Sequence, residues 1–383
     1  MASIKRYGRD ALRGTAISLG LAARIEEVEC PAPAGSESWL APGFVDLQVN
    51  GFAGVDYNDP AIALEDVARS IRVLFSTGVT RFLPTVITGS PQDMTAAMRR
   101  IAEARRRLTE GEAIVGIHME GPHISPEDGP RGAHPVQWVR PPDLDEFERM
   151  QEAADGLIRM VTLAPEWPQA VRYIEALVSR GVTVAIGHTS ASGEQIKEAV
   201  RAGASLSTHL GNGAHMMLPR HPNYIWEQLA EDRLMAGFIA DGIHLPACFL
   251  KAALRAKGVE RSFLVTDASA PAGCSPGRYH LGEQEVELTA EGRVVLAGQN
   301  RLAGSALRMD RGIENLMKLA GLTLAQAVAM ATVNPARAIG LDGRQRGLQA
   351  GELGDLVEFD FQPDPPQLVI RRTWLGGKPV FEA

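Results

Sequence analysis

The sequence has little of several features that would point to a particular class of protein. Its 383 residues include three cysteines, Cys30, Cys248 and Cys274, which are far apart and form no C-x-x-C pair. A disulfide framework and a zinc–thiolate cluster are therefore not expected, and a cytoplasmic protein is the simplest interpretation. No apolar run approaches the roughly 20 residues needed to cross a membrane. The first residues are basic but lack the apolar segment that a secretory signal requires.

Positive charge is also scarce, because the formal net charge is −7 at pH 7. This balance argues against nucleic acid or an anionic membrane as a partner. What the chain does have is an ordinary globular composition, with 45% hydrophobic and 22% charged residues. Its length suits one large barrel with a smaller domain beside it.

Strand-like and helix-like segments alternate from Pro42 onward. The predicted strands are rich in Val, Ile or Leu and lie at 44–49, 79–86, 114–120, 158–164, 182–188, 206–209, 235–241 and 263–267. Regular alternation favours a parallel sheet with crossover helices, and eight repeats favour closure into a distorted (β/α)8 TIM barrel. The competing doubly wound sheet is disfavoured because no G-x-G-x-x-G follows an early strand.

Further β-like segments lie at both ends of the chain. Residues 1–41 and 342–383 are predicted to form a small β-sandwich domain. Residues 42–341 are predicted to form the barrel, with a β-hairpin insertion near 277–297. A turn-rich stretch at 31–36 separates the first β segments from the barrel.

Several predicted strands end on a residue that can bind a metal or move a proton. Glu120, His188 and His209 are expected to meet at one rim of the barrel, because catalytic groups gather at the carboxyl ends of its strands. Imidazole nitrogen and carboxylate oxygen are good zinc ligands, so the three predict one divalent metal ion per subunit, with Zn²⁺ expected. Asp267 is predicted to move a proton between water and a leaving amine, although it could also cap a turn. His118 is expected one layer deeper than Glu120.

Seven segments occur in the order found in N-acetylglucosamine-6-phosphate deacetylases of the amidohydrolase superfamily, and the chain resembles that family throughout. The segments are 41–46 (A-P-G-F-V-D), 118–122 (H-M-E-G-P), 187–189 (G-H-T), 208–212 (T-H-L-G-N), 241–244 (D-G-I-H), 265–268 (V-T-D-A) and 303–305 (A-G-S). The resemblance implies a barrel with a small β domain, a homodimer, and release of acetate from an amino-sugar phosphate.

The resemblance also implies roles for individual residues. It matches Glu120, His188 and His209 to the metal ligands, Asp267 to the catalytic acid/base, and His134 to a histidine that polarises the amide carbonyl. It assigns substrate binding to Ala133, Asn212, Gly213, Arg220, His244, Leu302, Ala303 and Gly304, with Arg220 reaching across the dimer toward the phosphate.

Two segments depart from the superfamily pattern. Where many members have His-x-His at the end of strand one, this chain has Gln48-Val49-Asn50, which predicts a single metal ion that Gln48 touches through water. The loop at 213–223 ends in R-H-P-N where the family typically has R-E-P-G, so the sugar and the need for phosphate stay open. The alternatives are another amidohydrolase acting on a related N-acetyl sugar or an N-acyl amino acid, and a catalytically inactive barrel scaffold.

Overall fold

A computed structural model describes residues 4–31 and 38–383, so most of the turn-rich stretch predicted at 31–36 lies outside the described residues. The strands in chain order are β1 (Ile4–Asp10), β2 (Ala16–Leu21), β3 (Ile25–Glu29), β4 (Trp39–Pro42), β5 (Phe44–Val49), β6 (Gly51–Phe52), β7 (Val55–Asp56), β8 (Val79–Ile87), β9 (Ile117–Glu120), β10 (Ile158–Leu163), β11 (Thr183–Ile186), β12 (Leu206–Ser207), β13 (Met235–Ile239), β14 (Ser262–Val265), β15 (Gly277–Leu281), β16 (Gln284–Leu288), β17 (Val294–Leu296), β18 (Leu356–Pro363), β19 (Pro366–Leu375) and β20 (Lys378–Glu382).

The helices lie mostly between the strands of the barrel. In chain order they are α1 (Leu64–Phe75), α2 (Pro91–Arg107), α3 (Leu144–Ala153), α4 (Ala170–Ser179), α5 (Gly193–Ala202), α6 (Tyr224–Ala230), α7 (Ala247–Lys257), α8 (Met309–Asn315), α9 (Leu324–Ala331) and α10 (Val333–Ala338). Short 3-10 turns lie at Glu110–Ala113, Val136–Trp138 and Val259–Arg261, and a π-helical turn, Leu316–Ala320, extends α8. Within the described part of the chain, no helix is both long and apolar enough to span a bilayer.

The predicted (β/α)8 barrel is confirmed. Strands β5 and β8 to β14 form an eight-stranded parallel sheet, in the order β5-β8-β9-β10-β11-β12-β13-β14. A parallel bridge between Val49 and Ala268 joins the chain after the last strand to the end of the first, so the sheet is nearly closed. All nine residues of β8 are buried, which is why the strands appear in the sequence as nearly continuous apolar runs.

Six of the predicted barrel strands are shorter than expected, and three of them end before residues that were predicted to carry chemistry. Strands β11, β12 and β14 end two residues before His188, His209 and Asp267, which the sequence patterns included in them. All three residues instead have positive φ angles, of 49°, 27° and 50°. This left-handed region costs a non-glycine residue about 1–3 kcal/mol and is typical of functional sites. An apolar pattern cannot show such a turn, so the predicted strands ran too far.

The terminal segments join in one small sheet beside the barrel, as predicted. Its order is β20-β19-β18-β4-β1-β2-β3, so strands from both ends of the chain are neighbours. Buried Asp355, just before β18, accepts a hydrogen bond from Nε of Arg81 on β8 at 2.7 Å and thereby links this sheet to the barrel. The division of the chain at residues 41 and 342 stays a prediction.

The segment predicted as a hairpin near 277–297 has three strands. Strands β15, β16 and β17 form an antiparallel sheet, which we call the insertion (residues 277–296). The insertion lies against the loop that precedes His134, since Gln284 donates a side-chain hydrogen bond to the carbonyl of Ala133. It therefore stands over the rim where the barrel strands end.

Candidate active site

The three predicted metal ligands converge at the carboxyl ends of the barrel strands. Oε1 of Glu120, the last residue of β9, lies 3.0 Å from Nε2 of His209 and 3.3 Å from Nε2 of His188. The two Nε2 atoms are 3.0 Å apart. All three side chains are buried. Nδ1 of His188 is 2.8 Å from the carbonyl oxygen of Pro130, a contact that orients the ring and leaves Nε2 facing the cluster.

The charges of this cluster fit a cation at its centre. Burial would raise the pKa of Glu120, but hydrogen bonds with His188 and His209 hold it well below its ordinary value. Burial would lower the pKa of His209, but Glu120 raises it above its ordinary value. Two imidazole lone pairs and a carboxylate at this spacing need a positive charge between them, as a proton or as a divalent metal ion. The residues present are those that zinc prefers.

His134 lies beside the same cluster. One ligand atom each of Glu120, His134 and His188 lie within 4.8 Å of one another. Nδ1 of His134 is 2.9 Å from the hydroxyl of Thr88, and burial, followed by the charge of His188, lowers the pKa of His134 to about 3. The ring is therefore neutral at physiological pH. A hydroxyl that donates to Nδ1 keeps the ring proton on Nε2, where it can be donated to a ligand.

Asp267 is held by two amide side chains. Its Oδ1 accepts hydrogen bonds from Nδ2 of Asn50 at 2.7 Å and from Nε2 of Gln48 at 3.0 Å. The same Gln48 nitrogen also donates to Oε1 of Glu120 at 2.8 Å. Burial, followed by the charge of Glu120, raises the pKa of Asp267 to about 6. The amides thus bridge the predicted acid/base and a predicted metal ligand.

The sequence alone assigns no role to Asn50, because Gln48 and Asn50 are amides at the positions where many superfamily members have metal-binding histidines. The place of Asn50 after the first barrel strand, which closes the barrel beside Asp267, could have suggested a positioning role. His118, by contrast, lies in the barrel interior, with Nε2 2.7 Å from the hydroxyl of Thr162 and Nδ1 3.4 Å from that of Thr85. These contacts match a histidine one layer below Glu120.

A cavity of about 450 Å³ opens above the cluster. Glu120, His134, His188, His209 and Asp267 line its floor and walls, together with the predicted substrate residues Ala133, Asn212, Gly213, His244, Leu302, Ala303 and Gly304. His244 is oriented by Asp241, whose Oδ2 lies 2.6 Å from its Nδ1. A neighbouring cavity of about 560 Å³ is larger, but its lining includes none of the residues that carry chemistry on the rim.

Comparison with known proteins agrees with this geometry. Residues 39–380 match the amidohydrolase family. A Bos taurus N-acetylglucosamine-6-phosphate deacetylase is 37% identical over 90% of this chain and 83% of its own. The chain belongs to the N-acetylglucosamine-6-phosphate deacetylase family of amidohydrolases. An N-acetylgalactosamine-6-phosphate deacetylase of Escherichia coli O157:H7 is 33% identical, with 94% of this chain and 93% of that protein covered.

A solved deacetylase structure resembles the whole fold. It is a variant of the Mycobacterium smegmatis N-acetyl-D-glucosamine-6-phosphate deacetylase in complex with N-acetyl-D-glucosamine-6-phosphate. Its TM-score is 0.90 at 30% identity, with 99% of this chain and 100% of that chain covered. The nearly closed barrel and the sheet built from both chain ends are therefore features shared with a deacetylase.

One predicted substrate residue of this deacetylase-family chain lies apart from the others. Arg220 is exposed and does not line the cavity of its own chain, in the residues that the structure describes. Instead the cavity is lined by Arg293, Asn300 and Arg301, which were not expected there. No motif in the sequence marks these residues, because the insertion reaches the rim only through folding.

Proposed function

We propose that this chain is a metal-dependent deacetylase that hydrolyses the acetamide of N-acetyl-D-glucosamine 6-phosphate to D-glucosamine 6-phosphate and acetate. The observation that carries the proposal is the convergence of Glu120, His188 and His209 with Asp267 in one cavity. Family membership supports the reaction class, and curated relatives of this chain act on N-acetylhexosamine 6-phosphates.

Glu120, His188 and His209 would hold one divalent ion, with Zn²⁺ the expected metal. When bound, such an ion lowers the pKa of a water molecule to about 7 and polarises a carbonyl oxygen. We propose a single ion because Gln48 and Asn50 present amides, which are poor zinc ligands beside imidazole. In this structure their N–H groups are directed at the two carboxylates, so they hold Glu120 and Asp267 in place. A water-mediated contact between Gln48 and the ion stays a prediction.

Asp267 would carry the proton during hydrolysis. With Oδ1 fixed by the two amides, Oδ2 is available to take a proton from the attacking water and to return it to the departing amine nitrogen. The neutral ring of His134 would donate its Nε2 proton to the acetamide carbonyl oxygen, where negative charge develops. These two groups line the cavity together, as the two ends of one amide bond require.

We further propose a homodimer in which Arg220 contacts the phosphate bound by the partner. The loop before α6 exposes large apolar side chains: Met216 is fully exposed and Met217 is 90% exposed, and Trp226 on α6 is 55% exposed. Apolar side chains that cluster at the surface commonly mark protein–protein contacts. All three cysteines are free thiols, as expected for the cytoplasmic location that we propose.

The test is an acetate-release assay on purified protein. The substrates are N-acetylglucosamine and N-acetylgalactosamine, each with and without a 6-phosphate, and a set of N-acetyl amino acids, before and after treatment with a chelator. We expect the highest kcat/KM on N-acetyl-D-glucosamine 6-phosphate, loss on chelation and recovery with Zn²⁺. Preference for an N-acyl amino acid would overturn the substrate assignment. A metal-loaded protein that hydrolyses none of these compounds would indicate an inactive scaffold.

A further inference from the structure

The insertion and the turn that follows it bring two arginines to the cavity that contains Glu120 and Asp267. Arg293 directly precedes β17 and Arg301 follows it by a short turn, and both line the cavity. They lie on either side of one turn, in which Leu296 N donates to the Arg301 carbonyl at 2.9 Å and Nη2 of Arg293 donates to Oδ1 of Asn300 at 2.9 Å. The insertion therefore supplies positive charge to a cavity whose floor carries two carboxylates.

The two guanidinium groups differ in their partners. Arg301 pairs with Asp128 at 2.7 Å and donates to the carbonyl of Gly132 at 3.1 Å, so it fastens the insertion to the loop that carries His134. Within the described part of the chain, the Arg293 side chain donates one hydrogen bond, to Asn300 at 2.9 Å, and its buried Nε has no partner. Among the described residues no carboxylate lies within 4.0 Å of its guanidinium nitrogens. Most of its donors therefore remain available to a ligand.

The position of Arg293 suits one end of a sugar phosphate. Ala303 N donates to the Val294 carbonyl at 3.0 Å, so Arg293 stands beside Ala303 and the turn that follows. Two residues later, Ser305 N donates to the carbonyl of Asp267 at 2.9 Å. The backbone of the insertion is thus only a few residues from the catalytic carboxylate, about 10 Å at full extension. An arginine side chain there can reach the far end of one hexose whose acetamide lies at Asp267.

We propose that Arg293 binds the phosphate of the substrate within its own chain and thereby selects phosphorylated amino sugars. This inference rests on the proposed deacetylase function and deepens it. A guanidinium group presents paired donors that match phosphate oxygens, and it keeps its charge at every physiological pH. Arg220 is outside the cavity of its own chain, so Arg293 gives each subunit a phosphate contact that does not depend on a partner.

The test compares Arg293→Gln with wild type on N-acetyl-D-glucosamine 6-phosphate and on N-acetyl-D-glucosamine. Because Arg293→Gln removes a hydrogen-bonded charge pair, we expect it to lower kcat/KM for the phosphorylated sugar by about 10- to 100-fold. The loss on the unphosphorylated sugar should be at least about tenfold smaller. Arg293→Lys should recover part of the lost rate. The matched control is Arg278→Gln, because Arg278 lies on β15 of the same insertion, is exposed and pairs with Glu285 at 3.2 Å.

Binding of D-glucosamine 6-phosphate, measured by calorimetry, provides a second readout that does not require turnover. Arg293→Gln should weaken this binding by a similar factor, with unchanged metal content and thermal stability. Equal losses on both sugars, or wild-type affinity for the phosphate, would overturn the role of Arg293. Failure of the proposed function looks different, because wild type itself would then release no acetate from either sugar.

Discussion

Replacing Gly213 with alanine should damage the proposed metal site by displacing a single histidine ring. Gly213 has a φ of +57°, and a Cβ built on it would lie 2.7 Å from Nδ1 and 2.9 Å from Cε1 of His188. Neither distance is tolerated, so the ring must move. The ring is confined, however, by the 2.8 Å contact of Nδ1 with Pro130 and by edge-on packing against His209. Any displacement therefore changes the direction of Nε2.

The expected loss in the free energy of unfolding has two parts, which a control variant separates. A left-handed φ costs an alanine about 1–2 kcal/mol relative to glycine, and overpacking in a buried site costs a further 1–3 kcal/mol or so. Gly156→Ala is the matched control, since Gly156 has a φ of +77° and a Cβ added there would meet no atom of the described residues within 4 Å. We expect a loss of about 1–2 kcal/mol in the control and about 2–5 kcal/mol in Gly213→Ala. Metal affinity should fall about 10- to 100-fold in Gly213→Ala alone.

Two measurements check this prediction. Denaturant unfolding of chelator-treated protein gives the free energy of unfolding, and competition with a metal indicator gives the affinity for Zn²⁺. If Gly213→Ala bound Zn²⁺ as tightly as wild type and were no less stable than Gly156→Ala, then His188 would not be held where the structure has it.

Asp267→Asn should retain its metal, by elemental analysis, yet lose about 10²- to 10⁴-fold in kcat because the amide cannot carry a proton; an active variant would contradict this. Asp355→Asn should lower the free energy of unfolding by about 3–5 kcal/mol, because it removes the buried carboxylate that faces Arg81 and Arg344 and leaves Arg81 only the more exposed Glu112, whereas Asp155→Asn at an exposed pair should cost less than about 1 kcal/mol. Equal losses in denaturant unfolding would count against the buried pair. Burial raises the pKa of Asp46 to about 7, so its contribution to stability is complete below about pH 4 and is lost as the pH rises toward 7. Asp46→Asn should flatten that decline in unfolding experiments between about pH 4 and pH 7, and an unchanged slope would refute the assignment.

The architecture was accessible from sequence because its signals are local. A strand buried on both faces needs a continuous apolar run, and a helix between two such strands shows its start and end residues nearby. Ser90 illustrates this, since its side chain caps α2 by accepting from Asp93 N. Residues of types that can bind metal at the ends of such runs, including Glu120, could then be assigned to one rim from topology alone.

What only the tertiary structure decided is how side chains distant in the chain meet on that rim. The side chain of Gln48 donates hydrogen bonds to Glu120 and Asp267, which lie 72 and 219 positions further along the chain. No local sequence pattern contains such pairs. The left-handed turns at His188 and Asp267 depend on the packing that compensates their strain, so an alternating pattern could not reveal them. The same holds for Arg293, whose place in the cavity follows from how the insertion folds onto the barrel. Sequence determined which chemistry this protein carries, because residue type and strand ends are local properties. Folding determined its geometry, because distances between strands are set by the packing of the whole barrel.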